Sequence, residues 1–148
     1  MSTSTFNAEE ADNFEDIEKQ FAVKAVQQAE TFWNLLSKVK GSKLRLTKYD
    51  DFIYEELIKE FPEFSDPKYV AVISEDDLKN HKSKEKWRNF VKIFEEKIKD
   101  YNFGTLLRSD CKTEYDQHGT IFVLRIQFYC IEICRNRYEL NDWISEKK

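Results

Sequence analysis

Four side chains that enzymes use for catalysis lie within one short loop of this sequence: Cys111, Glu114, Asp116 and His118. A thiol beside an imidazole forms the nucleophile pair of many cysteine enzymes. A reactive thiolate, however, needs a fixed cationic neighbour and partial enclosure. A polar loop that ends at Gly119 promises neither, so we do not predict a catalytic pair here.

Two further cysteines, Cys130 and Cys134, are spaced by one helical turn. Together with Cys111 and His118 they could supply the four ligands of a zinc ion. Zinc-binding cysteine pairs usually lie in loops, whereas a free cysteine in an apolar helix behaves as a small hydrophobic residue. We therefore predict no metal site and no cofactor.

Short motifs that hold phosphates, activate a serine or bind zinc are missing from the sequence. It contains no G-x-G-x-x-G, no G-x-x-x-x-G-K-[ST], no G-x-S-x-G and no H-E-x-x-H. Its three isolated glycines cannot build a cradle for phosphate. These observations predict that the chain is not an enzyme.

Polar side chains interrupt the apolar segments at Arg88, Arg125, Gln127, Glu132, Arg135 and Asn136. A buried charge is costly unless it is paired, so one interpretation is an internal network that fixes the register of the helices. The other interpretation is a rim of donors to a partner protein, a task that suits arginine. That rim would consist of Arg125, Arg135, Asn136 and Arg137.

The end of the chain carries a short apolar face, formed by Leu140, Trp143 and Ile144 at helical spacing. This tail either folds back on the domain or docks as a helix in the groove of a partner. The predicted partner-binding residues are Arg88, Asn102, Arg108, Arg125, Gln127, Arg135, Asn136, Arg137, Leu140, Trp143 and Ile144.

The composition indicates which elements must position these residues. Of 148 residues, 41% are hydrophobic and 15% aromatic, which is ample for a core without disulfides. Three glycines and two prolines are too few for a turn-rich β sandwich and favour long helices. The net charge of −4 argues against a DNA-binding protein.

Compartment and membrane contact are judged from the same features. No apolar run approaches the roughly 20 residues that span a membrane, and we expect no contact with one. The start of the chain does not resemble a signal or transit peptide, and an odd number of cysteines does not suit a disulfide framework. The expected compartment is the cytoplasm, with the nucleus as a second one.

Apolar residues at steps of three and four predict three long helices. The first has the stripe Phe14, Ile17, Phe21, Ala25, Ala29, Phe32, Leu36 and Val39, with Gly41 as its C-terminal cap. The second begins at Thr47, with Asp50 completing a capping box, and ends before Pro62. The third spans residues 83–101, with Trp87, Phe90, Val91, Phe94 and Ile98 on one side.

The remaining segments are predicted as follows. Residues 62–73 cross the surface with a short extended piece at 69–73, and Ser74 with Asp77 starts a short helix. Residues 105–108 and 120–123 could pair as a hairpin. The segment from about Leu124 is too long for a strand and apolar on most sides, which is typical of a central helix.

The expected fold is therefore mainly α, a single-domain orthogonal helical bundle that has room for one short β-hairpin. We divide the chain into a disordered N-terminus (1–8), a helical domain (9–138) and a short amphipathic C-terminal tail (139–148).

Three stretches resemble the signatures of a known family. KEKWRNF at residues 84–90, KDYNFGTLLR at 99–108 and RIQFYCIEICRN at 125–136 are similar to the polysaccharide-biosynthesis-domain-containing (PBDC) family. The likeness covers residues 14–141, and the chain resembles the short fungal member. Relatives tend to carry proline where this chain has Leu124, which blurs the start of one helix without altering the fold.

The resemblance implies a mainly helical fold and a specific function. Such a protein is a dedicated chaperone for newly made translation elongation factor 1-alpha, which it binds through the factor's GTP-binding domain near the ribosome. Further partners that we expect are the nascent polypeptide-associated complex, at the apolar face of the tail, and the ribosome.

Two other functions stay open. The family name suggests an enzyme of carbohydrate metabolism, which would need a concave site with converging acids near Glu114, Asp116 and His118. Alternatively, the basic run over residues 38–48 and the lysine-rich third helix could bind RNA or the ribosome surface, with a steep dependence on salt.

Overall fold

The computed structural model describes residues 8–116 and 118–146, and side chains from residue 23 onward. Within these ranges the α-helices are α1 (Ala8–Lys38), α2 (Asp50–Glu60), α3 (Pro67–Ala71), α4 (Glu75–Lys79), α5 (His81–Val91), α6 (Arg125–Arg137) and α7 (Asp142–Glu146). Two strands, β1 (Gly104–Arg108) and β2 (Thr120–Leu124), pair as an antiparallel hairpin. The mainly helical fold with a short hairpin is confirmed. The predicted disorder of residues 1–8 falls outside the described residues except for Ala8.

Helix α6 lies at the centre of the core, as predicted. Ile126, Cys130 and Ile131 are fully buried, and α2, α3 and both strands pack around the helix. An apolar helix surrounded on several sides is the expected solution for a segment with apolar residues on most faces. None of the helices in the described part of the chain is long and apolar enough to cross a membrane.

Helix α1 packs its apolar stripe against β1 and α7. The stripe is buried from Ala25 to Leu36, whereas Val39 is 41% exposed, so the prediction was wrong for this last position. The side chains of Phe14, Ile17 and Phe21 lie outside the described residues.

Gly41 is not the predicted helix cap. It begins a 3-10 turn, Gly41–Lys43, and no glycine in the described residues has a positive φ. Its role is steric, because a Cβ at this position would lie 2.6 Å from Asn136 Oδ1 and 2.9 Å from Asn141 Cβ.

Helix α2 begins three residues later than predicted. The Asp50 carboxylate accepts hydrogen bonds from the backbone N–H groups of Leu46 and Thr47, at 2.8 and 2.7 Å, and folds the chain into a turn before the helix starts. The Thr47 hydroxyl accepts a hydrogen bond from Tyr49 N at 2.9 Å, so the predicted pairing of Thr47 and Asp50 is present but lies in the turn that precedes the helix. The C-terminal end agrees with the prediction, because α2 ends at Glu60, just before Phe61 and Pro62.

The third predicted helix is shorter than expected. Helix α5 ends at Val91, and a 3-10 turn, Lys92–Phe94, follows it. The tighter turns keep Phe94 and Ile98 inside the core, so the predicted buried side is correct although the helix is not continuous.

The segment 62–73 lies largely at the surface, as predicted, but it is mostly helical. It forms a 3-10 turn, Pro62–Ser65, and helix α3, and it buries Phe64 and Val70. Extended pairing is limited to Val72, which bridges to Asp110. The predicted start of α4 is confirmed, since Ser74 Oγ accepts a hydrogen bond from Asp77 N at 3.4 Å.

The hairpin pairs Gly104 with Leu124 at one end and Arg108 with Thr120 at the other. Side chains alternate along β2, so that Ile121 and Val123 face the core while Phe122 points outward and is 50% exposed. The Phe122 ring covers Gly104, where a Cβ would come within 2.2 Å of the ring atom Cζ.

Candidate protein-binding surface

A buried ion network joins the centre of the fold. The Glu132 carboxylate of α6 lies 3.6 Å from Arg108 Nη2 and 3.4 Å from Arg135 Nη1, and all three side chains are fully buried. Asn141 donates to Glu132 Oε1 at 3.0 Å and accepts from Arg108 Nη2 at 2.7 Å. Two cations and one anion therefore depend on each other and on one amide in a region of low dielectric.

Backbone carbonyls accept further hydrogen bonds from the two arginines, although the buried Nε of Arg108 has no partner in the described residues. Arg108 Nη1 donates to Cys111 O at 2.9 Å and to Thr113 O at 3.0 Å, and its guanidinium carbon lies 5.5 Å from the centre of the Trp33 ring. Arg135 donates to Val70 O at 2.8 Å. Burial lowers the pKa of Arg135, and the neighbouring Glu132 carboxylate opposes this shift. The network thus ties β1, α3, α6 and the following loops to one another.

The C-terminal tail folds back onto this network. Trp143 Nε1 donates to Cys111 O at 2.9 Å, and Ile144 is 2% exposed. Asp142 accepts a hydrogen bond from Ser42 N at 2.8 Å, which joins the tail to the turn after α1. Of the two interpretations of the tail, the structure has the one in which it packs on its own domain.

The predicted set of partner-binding residues therefore needs correction where the side chains are buried. The side chains that lie inside are Arg108, Gln127, Arg135, Asn136 and Ile144. Leu140 and Trp143 are partly buried and pack against the core. The physical reason is that the polar groups find partners within the chain, so the internal network is the correct interpretation for them.

The other predicted site residues reach the surface. Arg88, Asn102 and Arg137 are exposed, whereas Arg125 is partly buried and donates to Asp100 Oδ2 at 2.8 Å. Arg137 pairs with Asp51, and its guanidinium lies 4.4 Å from the centre of the Tyr54 ring. These residues are spread over different faces, and their role in binding a partner stays a prediction.

The three cysteines lie in the core of the described residues. Cys111, Cys130 and Cys134 are free and buried, and burial raises the pKa of Cys134 to about 12. Burial also raises the pKa of Cys111, against the lowering effect of nearby arginines. Among the side chains of residues 23–116 and 118–146, no three of the metal-binding types come together.

The outer face of the hairpin carries exposed apolar side chains. Phe122 and Leu124 are 50% and 36% exposed, and nearby Phe103 is 52% exposed. Two grooves lie beside this face, and Phe122 lines both. Sequence reasoning missed this surface, because residues 121–124 are all apolar and the sequence does not show which of them face outward.

The first groove, which we call the α1 groove, lies between α1 and the hairpin and has a volume of about 820 Å³. Val26, Trp33 and Leu106 contribute apolar walls, and Glu30 and Asp116 lie at its mouth. Asp116 uses Oδ1 to hold the loop, since it accepts a hydrogen bond from His118 N at 2.9 Å. A concave site near Glu114 and Asp116 therefore exists, as the enzyme alternative requires, although His118 does not line it.

The second groove, the α5 groove, lies between β2 and α5 and has a volume of about 570 Å³. Trp87 and Val91 form apolar walls. Lys84, Arg88 and Lys92 supply positive charge at its edge, with Glu95 as a lining carboxylate. An apolar groove with a basic edge is suited to an apolar segment that also carries acidic side chains.

The chain is mainly helical and carries one short hairpin. A buried ion network contacts the hairpin, which presents apolar side chains between two grooves. The chain belongs to the PBDC1 family. The family model described as PBDC1 protein matches residues 17–146.

Relatives from yeasts and animals agree with this assignment. The chain is 61% identical to "Protein PBDC1 homolog" of Saccharomyces cerevisiae, over 98% of this chain and 99% of the relative. It is 44% identical to "Protein PBDC1" of Homo sapiens, over 90% of this chain and 56% of the relative. A solution NMR structure of a Saccharomyces cerevisiae protein has a TM-score of 0.86 at 61% identity and covers 99% of this chain and 100% of that one. The names of these proteins contain no enzymatic designation.

Proposed function

We propose that this chain is a dedicated molecular chaperone for translation elongation factor 1-alpha. It binds the newly synthesised factor through the GTP-binding domain, during or just after translation, and prevents its aggregation. The observation that supports a binding function most directly is the exposed apolar face of the hairpin, with Phe122 half exposed between two grooves. Exposed apolar patches rimmed by polar residues are typical of protein interaction sites. The identity of the client rests on the family resemblance.

The physical need for such a chaperone follows from the fold of the client. A GTPase domain is built on a largely parallel sheet, which forms slowly because its contacts are distant in sequence. Meanwhile apolar surface and unpaired strand edges are exposed and promote aggregation. A protein that binds this state lowers the concentration of free, aggregation-prone chains by mass action. Release follows when the client completes its fold and binds nucleotide.

The place of action and further partners belong to the same proposal. We place the protein in the cytoplasm, with the nucleus as a second compartment, and retain the ribosome and the nascent polypeptide-associated complex as partners. Ile144 is buried and Trp143 is hydrogen-bonded within the chain. Contact with that complex therefore requires either a different surface or release of the tail.

Deletion of the gene in a cell that depends on it tests the proposal. Soluble elongation factor 1-alpha should fall and its aggregates should rise, while the total synthesis rate of the factor stays unchanged. A pull-down from translating cells, with and without nuclease, should recover the nascent factor. Unchanged levels and solubility of the factor after deletion would refute the proposed client.

The α1 groove gives a specific reason to keep the carbohydrate-enzyme alternative. Its volume of about 820 Å³ lies in the usual range for small-molecule sites, and Glu30, Glu114 and Asp116 line it. Incubation of the purified chain with sugar nucleotides and oligosaccharides tests it. Turnover that is lost in Glu30→Gln would establish an enzyme, and the absence of turnover across both substrate classes would remove this alternative.

A further inference from the structure

The two edges of the hairpin differ in how they are covered. Along β1, the Leu106 carbonyl accepts a hydrogen bond from the Tyr115 hydroxyl at 3.3 Å, and α1 packs against the strand. Along the outer edge of β2, no structural element continues the sheet, which contains only β1 and β2 within the described residues. An uncovered strand edge offers backbone donors and acceptors to another chain.

The register of the hairpin shows which backbone N–H and C=O groups of β2 point away from β1. Bonds that flank the ladder run from Arg125 N to Phe103 O at 2.7 Å and from Ser109 N to Gly119 O at 2.8 Å. Because hydrogen-bonded and non-hydrogen-bonded pairs alternate in an antiparallel ladder, Phe122 and its partner Leu106 form a non-hydrogen-bonded pair. The N–H and C=O groups of Phe122 therefore point away from β1.

This outer edge faces the α5 groove. Leu124 has the same orientation as Phe122, two residues along the strand, and its N–H donates to Gln127 Oε1 at 3.0 Å. Gln127 lines the α5 groove together with Trp87 and Arg88. The backbone of Phe122 thus opens towards a cavity of about 570 Å³ rather than towards the interior.

The charge of the groove restricts what fits there. Lys84, Arg88 and Lys92 are exposed, and no salt bridge to them is found within residues 23–116 and 118–146. Glu95 is the carboxylate that faces them in the groove lining. The edge is therefore basic, and the walls of Trp87 and Val91 are apolar, so the complementary ligand is acidic at its rim and apolar at its centre.

We propose that an extended segment of the client, apolar on one face and flanked by acidic side chains, adds to the outer edge of β2 as a third strand and fills the α5 groove. This inference rests on the proposed chaperone function and names the surface that performs it. In such strand addition, main-chain hydrogen bonds supply affinity and the pockets supply selectivity. A partly folded GTP-binding domain is a source of unpaired strands, and their capture blocks edge-to-edge aggregation.

Amide hydrogen exchange of the full chain, alone and with excess nucleotide-free elongation factor 1-alpha, tests the geometry. The Phe122 amide should exchange at least about tenfold more slowly in the complex, because it gains a hydrogen bond to the added strand. Slower exchange of amides in α5 without slower exchange at Phe122 would show that the client occupies the groove without adding a strand, and would overturn strand addition. No complex with the wild-type chain would instead refute the proposed function, and this inference with it.

Two variants at Phe122 separate the contribution of its backbone N–H to binding from that of its side chain. Phe122→Pro removes the outward N–H without breaking a hydrogen bond to β1, and proline is tolerated at such edge positions. Its affinity for the same client should fall by about tenfold. Phe122→Leu keeps the N–H and an apolar side chain, so any affinity that it loses is due to the ring, and Phe122→Pro should bind about tenfold more weakly than Phe122→Leu. Equal binding by folded Phe122→Pro and Phe122→Leu would contradict the inference.

Charge reversal tests the acidic character of the ligand. The double variant Lys84→Glu/Arg88→Glu should weaken binding by about tenfold or more, and the difference from the wild type should shrink at high salt. The matched control is Lys38→Glu/Lys43→Glu, which changes the net charge equally at exposed residues outside the α5 groove. An equal effect of both double variants would show that only overall charge matters and would remove the acidic segment from the proposal.

Discussion

The buried network and the exposed face of the hairpin differ in how they handle polar and apolar groups. In the buried network, which we call the inner side, Arg108 extends from the end of β1 and its guanidinium contacts Glu132 and Asn141. On the outer side, Phe122 is 50% exposed and the backbone edge of β2 is uncovered. The inner side tolerates few other side chains and makes the structure rigid, whereas the outer side leaves apolar surface available to a partner. Substitutions on the inner side should therefore act on stability, and those on the outer side on binding.

The largest expected effect is at the buried carboxylate. Glu132→Gln leaves two buried guanidinium groups without their counter-ion, and breaking a buried ion pair typically costs about 3–5 kcal/mol. Urea denaturation measures this loss in the free energy of unfolding. Glu95→Gln, at an exposed carboxylate, is the matched control and should change stability by about 0.5 kcal/mol or less. A loss below about 1 kcal/mol for Glu132→Gln would show that the network does not hold the fold.

Alanine substitutions at two glycines test whether the inner side is more rigid than the outer side. A Cβ at Gly41 meets Asn136 and Asn141, which the network fixes, so Gly41→Ala should destabilise the protein by about 1–3 kcal/mol. A Cβ at Gly104 meets the outer end of the Phe122 ring, which is half exposed and free to move outward. Gly104→Ala should therefore cost less than Gly41→Ala in the same denaturation experiment. The reverse order would contradict the contrast between a rigid inner and an adaptable outer side.

The tail provides a smaller test of the inner side. Trp143→Phe keeps an aromatic ring next to Trp33 but removes the hydrogen bond from Nε1 to Cys111 O. Loss of one such bond should cost about 0.5–1.5 kcal/mol. The melting temperature and the exchange rates of amides in α7 report the change. If α7 exchanges at the same rate in both proteins, this bond does not anchor the tail.

The smallest expected effect on stability is at the outer face. Phe122→Ser removes a half-exposed ring that makes no hydrogen bond to the core, so the unfolding free energy should change by about 1 kcal/mol or less. Denaturation by urea against the wild type measures it. A loss as large as that of Glu132→Gln would mean that the ring is structural and that its exposure has no functional meaning.

The sequence predicted those parts of the fold that depend on apolar periodicity. The stripe from Ala25 to Leu36, the central position of α6 and the strands of the hairpin follow from which residues repeat at helical or strand spacing. Periodicity identifies the buried side of a segment without fixing where it ends. Thus Asp50 delays α2 by folding back onto Thr47, and α5 ends at Val91 although Phe94 and Ile98 continue its buried side.

The candidate site was harder to predict, for two reasons. Arginine looks the same in a sequence whether it meets a partner protein or, as with Arg108 and Arg135, carbonyl groups that are distant along the chain. Phe122 looks like a core residue because Ile121 and Val123 on either side of it are buried, and only the pairing with Leu106 of β1 shows which face is outward. Both distinctions depend on contacts between distant segments, which no local pattern contains.

The most direct test of the central claim uses two apolar surface positions. Elongation factor 1-alpha is synthesised in a translation extract without this chain, and the wild type, Phe122→Ser or Val39→Ser is added before synthesis. Val39 is 41% exposed and lines neither hairpin groove. We expect the wild type and Val39→Ser to keep the factor soluble. Phe122→Ser, although folded, should leave most of it aggregated. Full protection by Phe122→Ser would contradict the claim that the hairpin face holds the client.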